Sequence, residues 1–401
     1  MTESIRESVA EGPLAGLKVL EFGAVTPPSI AAMLMSGWGA DVIRVDRRDH
    51  EADTAANTLR RGRRSVVLDL KNAAGREAAR RLARRADILI EGYRPGVMER
   101  LGLGPEVLLA DNPGLIYGRL TGWGQDGPNA LAPGHDITYL AITGALFAMG
   151  PSEGPPVPPL NWVADVGGGT MFLIAGLLAA LHERTRSGRG QVIDAAMLDG
   201  VPTLSATILR ERALGNWVDE RNANYIDGAA PFYRSYECSD GGYIAVGAIE
   251  DPFYREFVEN LGFDPADLGR QWDKASWPAV SARIAERVRE RTRAQWEKQF
   301  EGTNACVSPV LSFEEAAEHP QIRHRRSYVR VDGHLQPGPA PKFGRTPGGV
   351  PGPAPERGEH TREVLVDTGF SEHEIAELLA SGAAWDGATD ARSSQEADPV
   401  G

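Results

Sequence analysis

Three short stretches of the 401-residue chain combine residue types that can move protons or hold an anion. The first runs Pro133-Gly134-His135-Asp136-Ile137-Thr138-Tyr139 and leads into an apolar segment over Ile137–Met149. A histidine titrates near neutral pH, and the free N–H groups of a helix start can hold an oxyanion. The other reading is that Asp136 caps the helix and His135 is a structural hydrogen-bonding group. The second stretch, Val163–Thr170, sets Asp165 before Gly167, Gly168 and Gly169. Consecutive glycines allow close backbone approach, either to a ligand or to a packed helix. The third, Val246–Pro252, ends a strand-like run at Glu250, where a carboxylate serves as a helix cap or a solvated charge.

Charge supplies a fourth feature. With 43 Lys and Arg against 55 Asp and Glu, the formal net charge is −12, which argues against general nucleic-acid binding. Residues 44–100 nevertheless hold 15 basic against nine acidic residues, a local +6. Arg44, Arg47 and Arg48 follow the second predicted strand. Arg60, Arg61, Arg63, Arg64 and Lys71 bracket the third, and Arg94 and Arg100 follow the fourth. Basic residues at the ends of parallel strands suit phosphates. A solvated basic face is the alternative, chiefly for Arg80, Arg81, Arg84 and Arg85 on an amphipathic helix.

Several chemistries are missing their motifs. The turn after the first strand reads EFGAVTPPS and not GxGxxG, so a nicotinamide site is not expected. No GxxxxGK[ST], HExxH or GxSxG occurs. The eight histidines show no metal spacing, and Cys238 and Cys306 form neither a CxxC nor a zinc ribbon. Neither a metal nor a redox cofactor is expected, and the thiols fit a reducing compartment. The N-terminus has no apolar signal core. The longest apolar run, Met171–Leu181, is shorter than the roughly 20 residues a bilayer requires. The expectation is a cytoplasmic protein without a membrane span.

The elements that must position these residues follow from periodicity. Strands are expected at Leu17–Phe22, Asp41–Val45, Ser65–Leu70, Asp87–Glu91, Leu115–Thr121 and Gln191–Ala195, with helices near Ser29–Gly37 and Ala73–Arg85 between them. That alternation predicts an α/β fold with a parallel sheet. Ile137–Met149 and Thr170–Leu181 are apolar nearly all round, which places such helices inside a large domain or at a subunit interface. A hairpin of Phe232–Glu237 and Tyr243–Val246, followed by three helices, marks a smaller α+β domain over about 225–330. Residues 333–358, with seven prolines from Pro337 to Pro355, read as an extended connector. Ser371 with Glu374 caps a last helix. Residues 1–12 and 385–401 read as tails.

Taken together, PLAGLKVLEFG, GADVIRVDR, RRSVVLDLK, EGYRPGVMERLGLGPE, LIYGRLTGWGQDGP, GHDITYLAITG, PLNWVADVGGG, GRGQVIDAAM, DGAAPFYRSYE and IAVGAIE resemble the α-methylacyl-CoA racemases of the family III CoA-transferase (CaiB/BaiF) superfamily over about residues 13–380. The resemblance implies a large Rossmann-like domain over 13–200, completed by about 335–380, a smaller α+β domain, and an interlocked homodimer. It implies an acyl-CoA thioester substrate, with coenzyme A as part of that substrate and not a separate cofactor. It places the catalytic pair on His135 and Asp165, with Glu250 in support. Coenzyme A contacts fall on Arg47, on Val67, Leu68, Asp69, Leu70 and Lys71, and on Tyr93, Arg94 and Arg100. The acyl-thioester region falls on Pro133 to Thr138, with Gly134 and Asp136 at the thioester oxygen, and Pro133, Ile137, Thr138 and Tyr139 join the coenzyme A contacts. Asp251 after GAIE and Pro133 before GHD depart from the pattern. The chemistry agrees: moving a proton α to a thioester from one face to the other requires two acid–base groups, and the Asp136 N–H is a candidate donor to the enolate oxygen. A CoA-transferase with Asp165 as nucleophile is the competing expectation. His135 with Glu250 favours the racemase.

Overall fold

Short apolar runs separated by turn residues form six strands: β1 (Lys18–Phe22), β2 (Asp41–Asp46), β3 (Arg63–Leu68), β4 (Ile88–Glu91), β5 (Ile116–Thr121) and β6 (Val192–Ala196). The structure, a computed structural model, describes residues 12–23, 26–48 and 57–387. The six strands are mutually parallel and ordered β3-β2-β1-β4-β5-β6. Every residue of β4, and all but one of β1 and of β5, is buried, as a parallel sheet covered on both faces requires. The order reverses between β1 and β4. In open α/β sheets that switch point leaves a crevice beyond the carboxyl ends of the strands.

The chain divides into two units. The first takes the described residues within Met1–Tyr139, Asn161–Leu204 and His319–Gly401; the second takes Leu140–Leu160 and Ser205–Glu318. The second unit contains the antiparallel strands β7 (Tyr233–Glu237), β8 (Tyr243–Gly247) and β9 (Val307–Val310). Phe232, Phe257, Trp277, Trp296 and Phe300 fill its core.

Residues 319–330, expected in the smaller domain, join the first unit, while 140–160, expected in the larger, join the second. In the first unit β10 (Tyr328–Val331) and β11 (His334–Pro337) form a hairpin. The buried Arg61 guanidinium donates to Gln336 Oε1 at 3.0 Å and to the Pro337 carbonyl at 2.8 Å, which ties the hairpin down. The connector therefore starts after Pro337 and not at residue 333. It is held along its length, with Trp38 Nε1 donating to the Ala340 carbonyl at 3.0 Å and Gly349 N–H to the Gly37 carbonyl at 2.8 Å.

The expected C-terminal tail also begins too early. Strand β12 (Ala384–Trp385) pairs antiparallel with β3, Ala384 opposite Leu68 and Trp385 opposite Val67. Thr361, at the start of helix Thr361–Asp367, stitches the two strands together. Its hydroxyl accepts the Val67 N–H at 3.1 Å and donates to the Trp385 carbonyl at 2.7 Å. The rest of that expected tail, 388–401, and residues 1–11 of the N-terminal one lie outside the described residues.

Two apolar helices differ from their sequence reading. The first covers only Asp136–Thr143, because Gly144 takes a φ of +85° and a short turn at Leu146–Ala148 follows. Ile142 and Phe147 stand more than half exposed. The second is longer than expected, a π-helical turn over Trp162–Thr170 running into an α-helix over Met171–Ser187. The combined 26-residue helix is long and apolar enough to cross a bilayer by length and composition, contrary to the expectation drawn from Met171–Leu181 alone. It is also a core helix on one face: Ala164, Gly168, Leu173, Ile174, Leu177 and Ala180 are buried, while Trp162, Met171 and Leu178 are exposed. The glycines serve packing. A Cβ on Gly200, in helix Met197–Leu204, would lie 1.9 Å from the Gly168 carbonyl oxygen.

Candidate active site

A cavity of about 410 Å³ opens at the carboxyl ends of β1, β4 and β5, beside the switch point. Thr26, Pro27 and Pro28 after β1, Gly92 to Pro95 after β4, and Gly122 and Trp123 after β5 form its walls. Of the expected site residues, Tyr93, Arg94, Pro133, Gly134, His135, Tyr139 and Asp165 line it. His135 and Asp165, 30 positions apart in the chain, thus face one space.

Local geometry explains both placements. The Thr138 hydroxyl accepts the His135 N–H at 2.9 Å and donates to the His135 carbonyl at 2.7 Å, which fixes the turn and leaves the imidazole exposed. Ile137 and Thr138 are themselves exposed and outside the cavity lining. Tyr139 packs inward between two glycines. A Cβ on Gly122 would come within 2.0 Å of its ring and one on Gly134 within 2.5 Å, and the Trp123 ring meets it edge-on at 4.8 Å. Gly134 is therefore demanded by the tyrosine behind it.

Asp136 does more than its sequence reading allowed. Its buried carboxylate accepts, at Oδ2, the N–H groups of Ala164 and Asp165, both at 2.9 Å. One side chain thereby ties the turn bearing His135 to the π-helix bearing Asp165. Its own N–H has no acceptor among the described residues, as the first turn of a helix requires. Burial pushes the Asp165 pKa up, and the Asp136 charge adds to that; the Asn161 side chain and His135 oppose it. Burial and Asp165 likewise raise Tyr139, against the pull of Arg94. The site therefore favours a carboxyl that keeps its proton more readily than an ordinary aspartate.

The basic island resolves into two groups. Arg44 pairs with Glu21 and Asp46, Arg60 with Asp46, and Arg63 with Glu21. Arg64 pairs with Asp41, Glu363 and Asp367; Arg80 and Arg84 share Asp111; Arg81 meets Glu374. For Arg44, Arg60, Arg61, Arg63 and Arg64 the expectation of phosphate contacts is corrected: these side chains are spent on internal partners. Arg47, Lys71, Arg94 and Arg100 form no ion pair with any described residue, and all four are exposed. The Arg47 guanidinium lies 5.6 Å from the centre of the Tyr93 ring.

Two further expectations change. Val67 and Leu68 are buried side chains in β3, whose outer edge β12 occupies, so of the run 67–71 only Asp69 and Lys71 are exposed and Leu70 is half-buried. Glu250 lies in the second unit, at the N-cap of helix Asp251–Asn260, yet its side chain makes no capping hydrogen bond. Its charge joins burial and Glu256 in raising the Cys306 thiol. Asp251 pairs with Arg255 at 2.8 Å on the surface. Among the described residues no group of three His, Cys, Asp or Glu could hold a metal.

The sequence reading missed a buried carboxylate beneath the cavity. Glu91, the last residue of β4, accepts from Arg119 Nε at 2.9 Å and from the Tyr93 N–H at 2.7 Å. The signal was present as an acidic residue at the end of an apolar strand, with an arginine in the next one.

Comparison with known proteins is consistent with this geometry. Residues 14–361 match the description CoA-transferase family III. The α-methylacyl-CoA racemase of Mus musculus is 46% identical over 369 residues, covering 91% of this chain and 96% of that protein. The β subunit of the succinyl-CoA–L-malate CoA-transferase of Chloroflexus aurantiacus is 30% identical over 392 residues, covering 91% and 96%. The solved structure of a CaiB/BaiF family protein from Brucella suis shares the fold with a TM-score of 0.78 at 24% identity, covering 89% of this chain and 99% of that one.

Proposed function

The chain belongs to CoA-transferase family III, and from that membership we propose that it interconverts the (2R) and (2S) forms of 2-methylacyl-CoA thioesters. The observation that carries the reading is the pairing of His135 and Asp165, unlike acid–base groups from separate elements, in one cavity. One group takes the proton from carbon 2, the C–H electron pair becomes an enolate, and the other returns a proton to the opposite face. Each such group typically contributes about 10²–10⁴-fold. The Asp136 N–H receives the enolate oxygen, an interaction whose loss typically costs about 3–4 kcal/mol. Asp165, its pKa raised by burial and by Asp136, suits the proton-donating role in one direction. Arg47, Lys71, Arg94 and Arg100 receive the phosphates of the coenzyme A moiety, supported by their freedom from internal ion pairs.

A CoA-transferase reading is supported by the Chloroflexus relative and by the same Asp165, which would attack the thioester as nucleophile. His135 beside Asp165 weighs against it, because a transferase needs no second base. The deciding experiment offers single epimers of several 2-methylacyl-CoA esters in deuterated water, with and without a free acid acceptor. Inversion with deuterium at carbon 2 is the expected result. Robust transfer of coenzyme A without inversion would replace the racemase by the transferase.

The active form in this proposal is an interlocked homodimer. Exposed apolar side chains support it, Ile142 on helix Asp136–Thr143, Phe147 on the turn after it, and Trp162 and Met171 on the helix Trp162–Ser187, since exposed apolar surface marks interaction sites. Light scattering should then give twice the 43.2 kDa chain mass; a single-chain mass at micromolar concentration refutes the dimer. The free Cys238 and Cys306 fit a cytoplasmic setting.

A further inference from the structure

Glu91 is fully buried at the carboxyl end of β4, yet the racemisation chemistry makes no use of it. Its Oε1 accepts from Arg119 and its Oε2 from the Tyr93 N–H. Arg119 continues the chain of contacts, donating from Nη1 to Glu99 Oε1 at 2.8 Å. Glu99 sits in the short helix Val97–Arg100. The two carboxylates, joined through one guanidinium, therefore grip both ends of the segment 92–100. That segment carries Tyr93, Arg94 and Arg100. Tyr93 is further anchored by its hydroxyl, which donates to the Gly23 carbonyl at 2.8 Å.

We propose that Glu91 is the positioning residue for the coenzyme A moiety, holding segment 92–100 in the form that presents Tyr93, Arg94 and Arg100 to the ligand. The proposal rests on the coenzyme A reading of those three residues. Ionised Glu91 accepts two charge-assisted or backbone hydrogen bonds at once. A proton on either oxygen turns one of those acceptors into a donor facing another donor, and the grip on one end is lost.

Protonation falls in a useful range. Burial pushes the Glu91 pKa up to about 7, against the pull of Arg119 and the Tyr93 N–H, and Glu99 adds to the rise. The other titratable and charged groups around it are Tyr117 on β5, Asp194 on β6 beside Arg119, and Arg47 against Tyr93. A ligand that requires the ionised form binds more tightly as pH rises through about 7. With the competent fraction falling from about nine-tenths at pH 8 to about one-tenth at pH 6, the apparent Kd rises about tenfold.

The test is calorimetric titration of the full-length protein with coenzyme A from pH 6 to 8. The phosphate titration of the ligand is common to all variants and cancels between them. Wild type should weaken about tenfold toward pH 6. Glu91→Gln should bind with the weak low-pH affinity throughout, without that slope, and its deficit with an acyl-CoA ester should appear in KM. Glu99→Gln removes a like charge from an exposed position and releases Arg119 to Glu91, so the midpoint of the pH dependence should move to lower pH. Wild-type affinity and slope in Glu91→Gln would overturn the proposal. If that variant does not fold, an unmoved midpoint in Glu99→Gln overturns it instead. Failure of the wild-type protein to bind coenzyme A at any pH would overturn the coenzyme A reading itself, and the positioning role with it.

Discussion

Replacing His135 with alanine is expected to slow racemisation by about 10²–10⁴-fold, the usual contribution of one acid–base group. The second base should survive the change. Asp165 is held by the Asp136 carboxylate through two backbone N–H groups, and the exposed His135 ring is no part of that clamp. The cationic residues proposed for coenzyme A also lie on other elements, so ester binding should stay within a few-fold of wild type. What remains is one-sided chemistry. The epimer whose α-proton faces Asp165 should still exchange with deuterated water, with its configuration retained, while the other epimer should not exchange. Proton NMR of carbon 2, run on each epimer separately, reads both outcomes. Inversion at near wild-type rate from either epimer would end the two-base assignment.

Replacing Arg63 with methionine is expected to destabilise the first unit by about 3–5 kcal/mol, the usual cost of breaking a buried ion pair and stranding its partner. Arg63 and Glu21 have fully buried side chains and meet at 3.1 Å. Burial alone would push the Glu21 pKa up; Arg44, Arg63 and the Ser29 hydroxyl overcome it and hold the carboxylate below its ordinary value. A carboxylate with a depressed folded-state pKa contributes stability that is present above the unfolded value and lost as pH falls through the folded one. In the methionine variant the Glu21 pKa rises. The deficit against wild type should therefore be full above the raised Glu21 pKa of the variant, narrow as pH falls through it, and be least below the depressed wild-type value, where Glu21 is neutralised in both proteins. Urea unfolding at pH 7 and pH 4 measures this. A loss under 1 kcal/mol at pH 7, or a deficit that widens in acid, would show that Arg44 alone satisfies Glu21.

How much could be read without coordinates differs by element. The six parallel strands fall within two residues of expectation at nearly every boundary, because period and turn residues are local signals. Strand β12 carries no such signal: two residues show no period, and the strand exists because β3 has an open edge there. The Asp165 helix extends beyond the expected Thr170–Leu181 at both ends, and its three glycines do not interrupt it. Close packing accommodates them, Gly167 against Leu204, Gly168 against Val201 and Gly200, and Gly169 against Met197.

The site shows the same division. His135 and Asp165 were identifiable from their motifs, since each motif joins a chemically competent residue to a helix start within a few positions. The roles of the arginines were not. Glu21 stands directly opposite Arg44 across β1 and β2, and Glu91 directly opposite Arg119 across β4 and β5. That register decides which guanidinium groups are consumed by buried carboxylates and which remain for a ligand. The sequence by itself determined the sheet-forming segments, the candidacy of His135 and Asp165, and the excess of positive charge. Only the tertiary structure decided that Asp136 couples the turn of His135 to the helix of Asp165, that Val67 and Leu68 belong to the core, and that Arg47, Lys71, Arg94 and Arg100 are left without an ion pair among the described residues. Strand propensity and motif chemistry act over a few residues, whereas ion pairing and burial depend on contacts between residues 20 to 300 positions apart, and no local pattern encodes them.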